Sequence, residues 1–274
     1  MILITGSDGF MGRWLAKKLG KAISFDQRQG KDITDLKQVL AIPKVGTLFH
    51  LAGISFVPDA AADPHAAFQV NTLGTLNICE LARKHGGRII FPSTYVYGQP
   101  QYLPVDERHP VAPSTIYAES KLLAERVIQR YAEEYGLGYA ILRFFNVYGP
   151  GQSEKFLIPK IVAGAKKGGI ALQDKTPRRD FTFITDAVEA YLKAAMSKKS
   201  GIYNIGSGKS YSVWEIVEKV RLLSKKKLKV TYGKERRKNE ILDCAADAGK
   251  ARKELGWIAK VGIDDGLKQM MRDG

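Results

Sequence analysis

Cysteine is nearly missing from this chain of 274 residues, with Cys79 and Cys244 its two thiols. Two cysteines form neither a disulfide framework nor, alone, a metal cluster. A reducing, cytoplasmic setting is therefore expected. Long apolar runs are also missing. None approaches the roughly 18 residues that a membrane-spanning helix requires. The chain opens Met1-Ile2-Leu3-Ile4-Thr5-Gly6, straight into a strand pattern, and no secretory leader is expected. It has no internal repeat and no low-complexity stretch, which argues against solenoids and arrays. Acidic residues are scarce: 28 Asp and Glu face 43 Lys and Arg, for a net charge of +15. Such a balance favours anionic partners, phosphorylated metabolites among them, with a solvated lysine surface as the competing reading. The densest basic stretch, Lys225 to Lys238, contains Tyr232 but no interleaved stacking aromatics. Nucleic acid is accordingly not expected as the partner.

Hydrophobic residues make up 45% of the chain, enough for a core without cross-links. In the first half, short apolar runs alternate with longer helical patterns. Ile2–Thr5, Ala22–Phe25, Leu48–Leu51, Arg88–Pro92 and Tyr139–Arg143 read as buried strands. Phe10–Leu19, Pro64–Lys84 and Thr115–Tyr135 read as helices between them. This rhythm predicts an α/β fold with a doubly wound parallel sheet covered on both faces. Gly149-Pro150-Gly151 then breaks the chain. Helices are expected near Leu157–Lys167, Thr185–Met196 and Ser212–Ser224, and short strands near Ile170–Leu172, Ile202–Ile205 and Lys229–Tyr232. The expected division is a dinucleotide-binding domain over 1–145. Residues 146–274 form mainly a small substrate-binding cap, with some segments returning to the first domain.

Gly6-Ser7-Asp8-Gly9-Phe10-Met11-Gly12 follows the first strand and opens the first helix. Gly6 permits the turn, Gly9 lets backbone approach a pyrophosphate, and Gly12 lets helix and strand pack closely. The helix start, with Phe10 and Met11, offers free N–H groups and a positive partial charge. Asp26 ends the second strand 20 residues after Gly6. An acid there meets ribose hydroxyls and repels a 2′-phosphate, so NAD is expected over NADP, although Arg28 stands nearby. Asp32-Ile33 is assigned to the adenine, with an ordinary helix-start aspartate as the competing reading.

Tyr117 and Lys121 are four apart on a helix and share a face. An ammonium near a phenol favours the phenolate, which suits a general base. Ser93-Thr94 falls at the carboxyl end of the fourth expected strand, the edge at which open parallel sheets bind ligands. A serine hydroxyl there can hold a substrate oxygen while the tyrosine takes its proton.

These features together resemble the extended short-chain dehydrogenase/reductases, in particular the NAD-dependent nucleotide-sugar epimerase/dehydratase group of the UDP-glucose 4-epimerase kind. The resemblance implies a Rossmann-type domain with a C-terminal cap, and a catalytic set of Ser93, Tyr117 and Lys121. His50-Leu51-Ala52-Gly53 is similar to the family's segment beside the nicotinamide riboside, and Asn71-Thr72-Leu73-Gly74-Thr75 to its N-x-x-G-T helix. Leu51, Ala52, Gly53 and Asn71 thus join the expected cofactor site, as do Tyr117 and Lys121. Arg143 to Gly151 is similar to the turn into the cap, which implies that Asn146 touches the sugar diphosphate. Arg179-Asp180-Phe181 is similar to the segment whose arginine clamps a phosphate. Arg237 and Glu240 are implied as a second phosphate arginine and an acidic ribose contact.

Departures narrow the reading. Thr94 and Tyr95 stand where the dehydratases carry an acidic pair, which disfavours loss of water. Thr94 joins the expected substrate site. Ser55 stands where some galactose epimerases have lysine, Lys155-Phe156 replaces an asparagine-rich pair, and Ile170–Arg178 lacks the usual G-D-G. Cys244 falls where some members have a tyrosine bordering the sugar, and a small residue there is expected to leave room for a 2-acetamido group. The expected activity is NAD-dependent epimerisation at C4 of a UDP-hexose or UDP-N-acetylhexosamine, by a homodimer. The alternatives are a 4-keto reductase using NAD(P)H and a binding protein on the same fold.

Overall fold

The computed structural model describes residues 1–224, 227–233 and 240–273. The first half runs β1 (Ile2–Thr5), α1 (Phe10–Leu19), β2 (Ile23–Phe25), α2 (Leu36–Leu40), β3 (Thr47–His50), α3 (Val57–Ala62), α4 (Pro64–Phe68), α5 (Gly74–His85), β4 (Arg88–Ser93), α6 (Ile116–Tyr135) and β5 (Tyr139–Phe144). The second runs β6 (Asn146–Tyr148), α7 (Leu157–Lys167), β7 (Gly169–Leu172), β8 (Arg178–Phe183), α8 (Ile184–Met196), β9 (Gly201–Ile205), β10 (Ser210–Ser212), α9 (Val213–Ser224), β11 (Lys229–Tyr232), α10 (Gly249–Leu255) and α11 (Ile263–Asp273).

Six parallel strands form the main sheet in the order β2-β1-β3-β4-β5-β9. Successive strand residues point to opposite faces. Ile4, Phe49, Ile90 and Leu142 therefore enter one core with Leu15 of α1 and Tyr191 of α8. Leu3, Leu48, Ile89 and Ile141 enter the other with Ile78 of α5 and Ala124 of α6. Both faces are covered, as the apolar runs predict. The chain turns from β2 back across β1 to β3, so a crevice opens at the carboxyl ends of β1 and β3.

The long helix α6 starts where the Thr115 hydroxyl accepts from the Ala118 N–H, and stops at Gly136 in the left-handed conformation. The sequence pattern predicts one helix over Pro64–Lys84. Instead, α4 and α5 are joined through a wider turn over Gln69–Leu73. That turn swings the Asn71 amide inward, where it is hydrogen-bonded to Ile54 and Ser120. Such widened turns recur at functional sites.

Beyond β5, β8 pairs with β6 in parallel and with β10 antiparallel, and β7 pairs with β11. β9 returns to the main sheet beside β5. The Asp180 carboxylate of β8 accepts from the Ser207, Gly208 and Ala246 N–H groups and the Ser207 hydroxyl. One buried charge thus ties three segments together and is fully hydrogen-bonded, as burial demands. No described helix is long and apolar enough to cross a membrane.

Candidate active site

The crevice needs its glycines. Gly6 has φ +66°, and a Cβ there would lie 2.6 Å from the Ala52 nitrogen. A Cβ on Gly12 would lie 2.1 Å from the Gly6 carbonyl oxygen. Gly9 caps α1 without a side-chain acceptor, and no acidic residue occupies the first turn with Phe10 and Met11. The orphan N–H groups of that turn are free of internal competition for an anion. Asp26 is buried at the end of β2, with its carboxylate accepting from the Asp8 N–H at 2.8 Å and the Arg28 N–H at 2.9 Å. It thus holds the glycine loop from the side where a ribose would lie.

Across the crevice, Leu51, Ala52 and Gly53 follow β3. The Ala52 N–H donates to the Thr5 hydroxyl. A Cβ on Gly53 would lie 2.8 Å from the Asn71 amide oxygen, so glycine lets this loop close onto Asn71. Asp32 is exposed, and its carboxylate accepts from the Thr34 N–H and hydroxyl, a local turn. The Ile33 side chain packs into the core against Gly74.

Ser93, at the end of β4, is 4% exposed, and its Oγ has no hydrogen-bond partner. A buried hydroxyl left unpaired is costly and calls for an explanation. The side chain of the next residue, Thr94, acts on the phenol of Tyr117. Strand end and helix start therefore meet. Burial raises the Tyr117 pKa and the Thr94 side chain opposes it. Lys121, one turn on, is 5% exposed, with Nζ 3.8 Å from the Phe91 ring centroid. Burial lowers its pKa from 10.5 to about 7, opposed by the charge of Glu125. The sequence pattern makes Lys121 the source of a lowered phenol pKa. In this structure the lysine contacts the Phe91 ring, and burial and Thr94 govern the phenol.

His50 was not among the residues singled out from the sequence. It is fully buried behind this edge, with Nδ1 2.8 Å from the Thr5 hydroxyl and Nε2 2.9 Å from the Thr75 hydroxyl. Its ring stacks on Phe91. Burial drops its pKa to about 3, with the Lys121 charge acting the same way. A histidine closing an otherwise apolar strand was the available signal.

Toward the cap, the Asn146 amide donates to the Asp180 carbonyl at 3.1 Å. Arg179 donates to the Ile241 carbonyl at 2.6 Å and pairs with Glu240. Cys244 is buried with Tyr97, Val105, Phe145 and Ala246, and Tyr95 packs against this cluster. Tyr95 meets Tyr97 and Phe145 edge-on, and its hydroxyl donates to the Gly98 carbonyl. Arg179 also acts electrostatically on the Tyr95 phenol. Tyr95 thus packs into this aromatic cluster, at a position the sequence marks only as a missing acid. Arg237 lies outside the described residues.

Comparison with known proteins covers nearly the whole chain. The family model described as GDP-mannose 4,6 dehydratase matches residues 20–270. A putative UDP-glucose 4-epimerase of Methanocaldococcus jannaschii is 32% identical, over 99% of this chain and 97% of that protein. Among solved structures, MoeE5 in complex with UDP-glucose and NAD superposes with a TM-score of 0.93 at 28% identity, over 99% of this chain and 97% of that one. The UDP-glucose 4-epimerase of Thermus thermophilus in complex with NAD gives 0.91 at 27% identity, over 99% and 98%. With its Rossmann-type sheet, glycine-lined crevice and matched length, the chain belongs to the extended short-chain dehydrogenase/reductase family of nucleotide-sugar epimerases and dehydratases.

Proposed function

We propose that this protein epimerises C4 of a nucleotide-diphosphate sugar, a UDP-hexose or UDP-N-acetylhexosamine, with NAD as its resident cofactor. The observation that carries this reading is the buried, unpartnered Ser93 Oγ, next to a Thr94 whose side chain acts on the Tyr117 phenol. A buried donor without a partner fits a site that a substrate oxygen completes.

The residues present fit a dinucleotide. Backbone N–H groups at the start of α1 would take the pyrophosphate, and the Asp26 carboxylate the adenosine ribose. A bound NAD would supply the reversible hydride acceptance that chemistry at C4 needs. Tyr117 takes the proton of the 4-hydroxyl, and Ser93 holds the same oxygen through both directions of the reaction. Lys121 supplies positive charge on the face it shares with Tyr117. Arg179 anchors the diphosphate, so binding energy remote from C4 holds the substrate while the sugar turns. With Thr94 and Tyr95 where the dehydratases carry acids, no carboxylate follows Ser93 to assist loss of water. Within this reading residues 1–145 serve the cofactor, and 146–274 mainly the sugar nucleotide, with β9 completing the cofactor-side sheet. A homodimer packed through α5 and α6 belongs to the same reading.

The test is assay of the purified protein without added cofactor. Interconversion of a UDP-hexose or UDP-N-acetylhexosamine with its C4 epimer is expected. Stoichiometric consumption of NADH or NADPH with a 4-keto sugar would make the protein a reductase. Failure to bind any dinucleotide would remove the enzymatic reading.

A further inference from the structure

The turn between β6 and α7 is held at both ends, and its two anchors stand on opposite sides of the dinucleotide crevice. One anchor is α1, which follows the glycine loop and packs on one face of the main sheet through Leu15. The Trp14 indole N–H donates to the Pro150 carbonyl at 3.1 Å, and the Arg13 guanidinium donates to the Gly151 carbonyl at 3.2 Å. Arg13 also donates to the Asp8 carbonyl at 3.0 Å, so one side chain joins the glycine loop to the turn. The other anchor is α3, which comes after the loop that leaves β3 and packs against α6 on the opposite face. Lys155 Nζ donates to both Asp59 carboxylate oxygens, at 3.0 and 3.3 Å. Phe156 meets Phe56 edge-on, with ring centroids 5.3 Å apart and planes at 69°. Lys155 Nζ also lies 5.5 Å from the Phe56 ring centroid.

A segment tied to α1 on one face and to α3 on the other crosses the carboxyl edge of the sheet between them. The crevice opens at that edge, between the neighbouring strands β1 and β3. The chain from Gly151 to Phe156 reaches roughly 17 Å when extended, ample for the crossing. The two anchors differ in kind. Beside the α1 anchor, Gly149 packs so tightly that a Cβ there would lie 2.3 Å from Ile184 Cγ2 of α8. The α3 anchor is an ion pair whose side chains are 58% and 53% exposed, joined by one pair of rings. Exposed ion pairs hold weakly. One end is built to stay and the other to let go.

We propose that residues 149–156 form a strap across the dinucleotide crevice, hinged at α1 and latched to α3 by Lys155 with Asp59 and Phe156 with Phe56, and that opening of the latch limits how fast NAD enters and leaves. The latch joins protein to protein, so it opposes entry and exit alike. The proposal rests on the dinucleotide site and not on chemistry at C4.

The experiment uses full-length protein loaded by exchange with the fluorescent etheno derivative of NAD. Release is timed by stopped flow against excess unlabelled NAD, and Kd is taken from dilution of the loaded protein. Lys155 and Asp59 are exposed, so charge variants leave the core untouched. Release is expected to quicken about 3-fold in Lys155→Glu and about 10-fold in Lys155→Ala/Phe156→Ala, the worth of an exposed ion pair and of that pair with a ring contact. Kd should stay within about twofold of wild type, because uptake quickens equally. Lys155→Glu/Asp59→Lys should restore the slow release. Release unchanged in the Lys155→Ala/Phe156→Ala protein overturns the proposal, as does release that stays fast in the swapped pair. A Kd that rises in step with release overturns it too, since the residues would then be ordinary binding contacts. A wild-type protein that binds no NAD derivative removes strap and cofactor site together. Absence of epimerisation in wild type, with the release rates as expected, overturns only the epimerase reading.

Discussion

The Thr94 side chain, one residue past the end of β4, acts on the phenol of Tyr117 near the start of α6 and opposes the rise that burial imposes on its pKa. This proximity joins the two elements that carry Ser93 and Tyr117. Tyr117→Phe keeps the ring and removes the proton acceptor. Turnover is expected to fall by about two to four orders of magnitude, the usual worth of a general base. Binding of the nucleotide sugar, measured by calorimetry, should stay near the wild-type value. Unaltered turnover would remove Tyr117 from the mechanism.

The buried His50 contributes to the acid limb of stability. Its pKa is about 3 in the folded protein and near 6.5 when the chain unfolds, so the unfolded state binds the proton first. Stability therefore falls as pH drops from 6.5 toward 3, by roughly 1.4 kcal/mol per unit from this group alone. His50→Gln should flatten that part of the curve in urea unfolding series. An unchanged slope would mean that other groups set it.

Lys121 makes the opposite bargain with function. Its folded pKa is about 7 against 10.5 unfolded, so the unfolded state again holds the proton more tightly. The cost of burying this lysine is complete below pH 7 and fades as pH rises toward 10.5. Lys121→Met should therefore raise the Tm most in mildly acidic buffer and least in alkaline buffer, while abolishing activity. A gain in Tm that is constant with pH would show that the desolvated amine is not its origin.

Gly12→Ala should close the crevice from within. The added methyl would stand 2.1 Å from the Gly6 carbonyl, a backbone atom that cannot rotate away. The expected loss is about 3 kcal/mol, the upper part of the overpacking range. Dinucleotide binding should be lost even in the fraction that remains folded, as cofactor fluorescence titration would reveal.

Arg179 and Glu240 are paired in this structure. Arg179→Ala is expected to raise KM for the nucleotide sugar by about 10- to 100-fold, the worth of a charged hydrogen bond, with a smaller effect on kcat. Equal losses in both constants would place Arg179 at the chemistry instead.

The sheet and its crevice were legible because their demands are local. Gly6, Gly9 and Gly12 mark a turn that side chains would block, and alternating apolar runs mark strands buried on both faces. Ser93, Tyr117 and Lys121 were picked out by spacing, but their environment was not readable that way. Whether Lys121 meets a phenol or an aromatic ring depends on rotamers and neighbours from β4, which spacing does not encode. Glu125 was hidden for the same reason, since a glutamate four residues after a lysine on a helix also describes any exposed surface pair. Arg143 inside an apolar strand was the readable hint that a buried acid awaited it. The segments β6 and β10 escaped because each is three residues long, and β8 because it opens on Arg178, Arg179 and Asp180, with no apolar alternation. The break between α4 and α5 escaped because a widened turn preserves helical spacing on either side.

β9 closes the flank of β5, register by register from Ala140 opposite Gly201 to Phe144 opposite Ile205. The chain supplies this strand only after β6, α7, β7, β8 and α8 have been made. Until then Ala140, Ile141 and Leu142, fully covered in the finished protein, form an open apolar border with unpaired backbone groups. A nascent or truncated chain ending before Gly201 thus offers a ready template for self-association, and the late strand guards solubility as well as architecture.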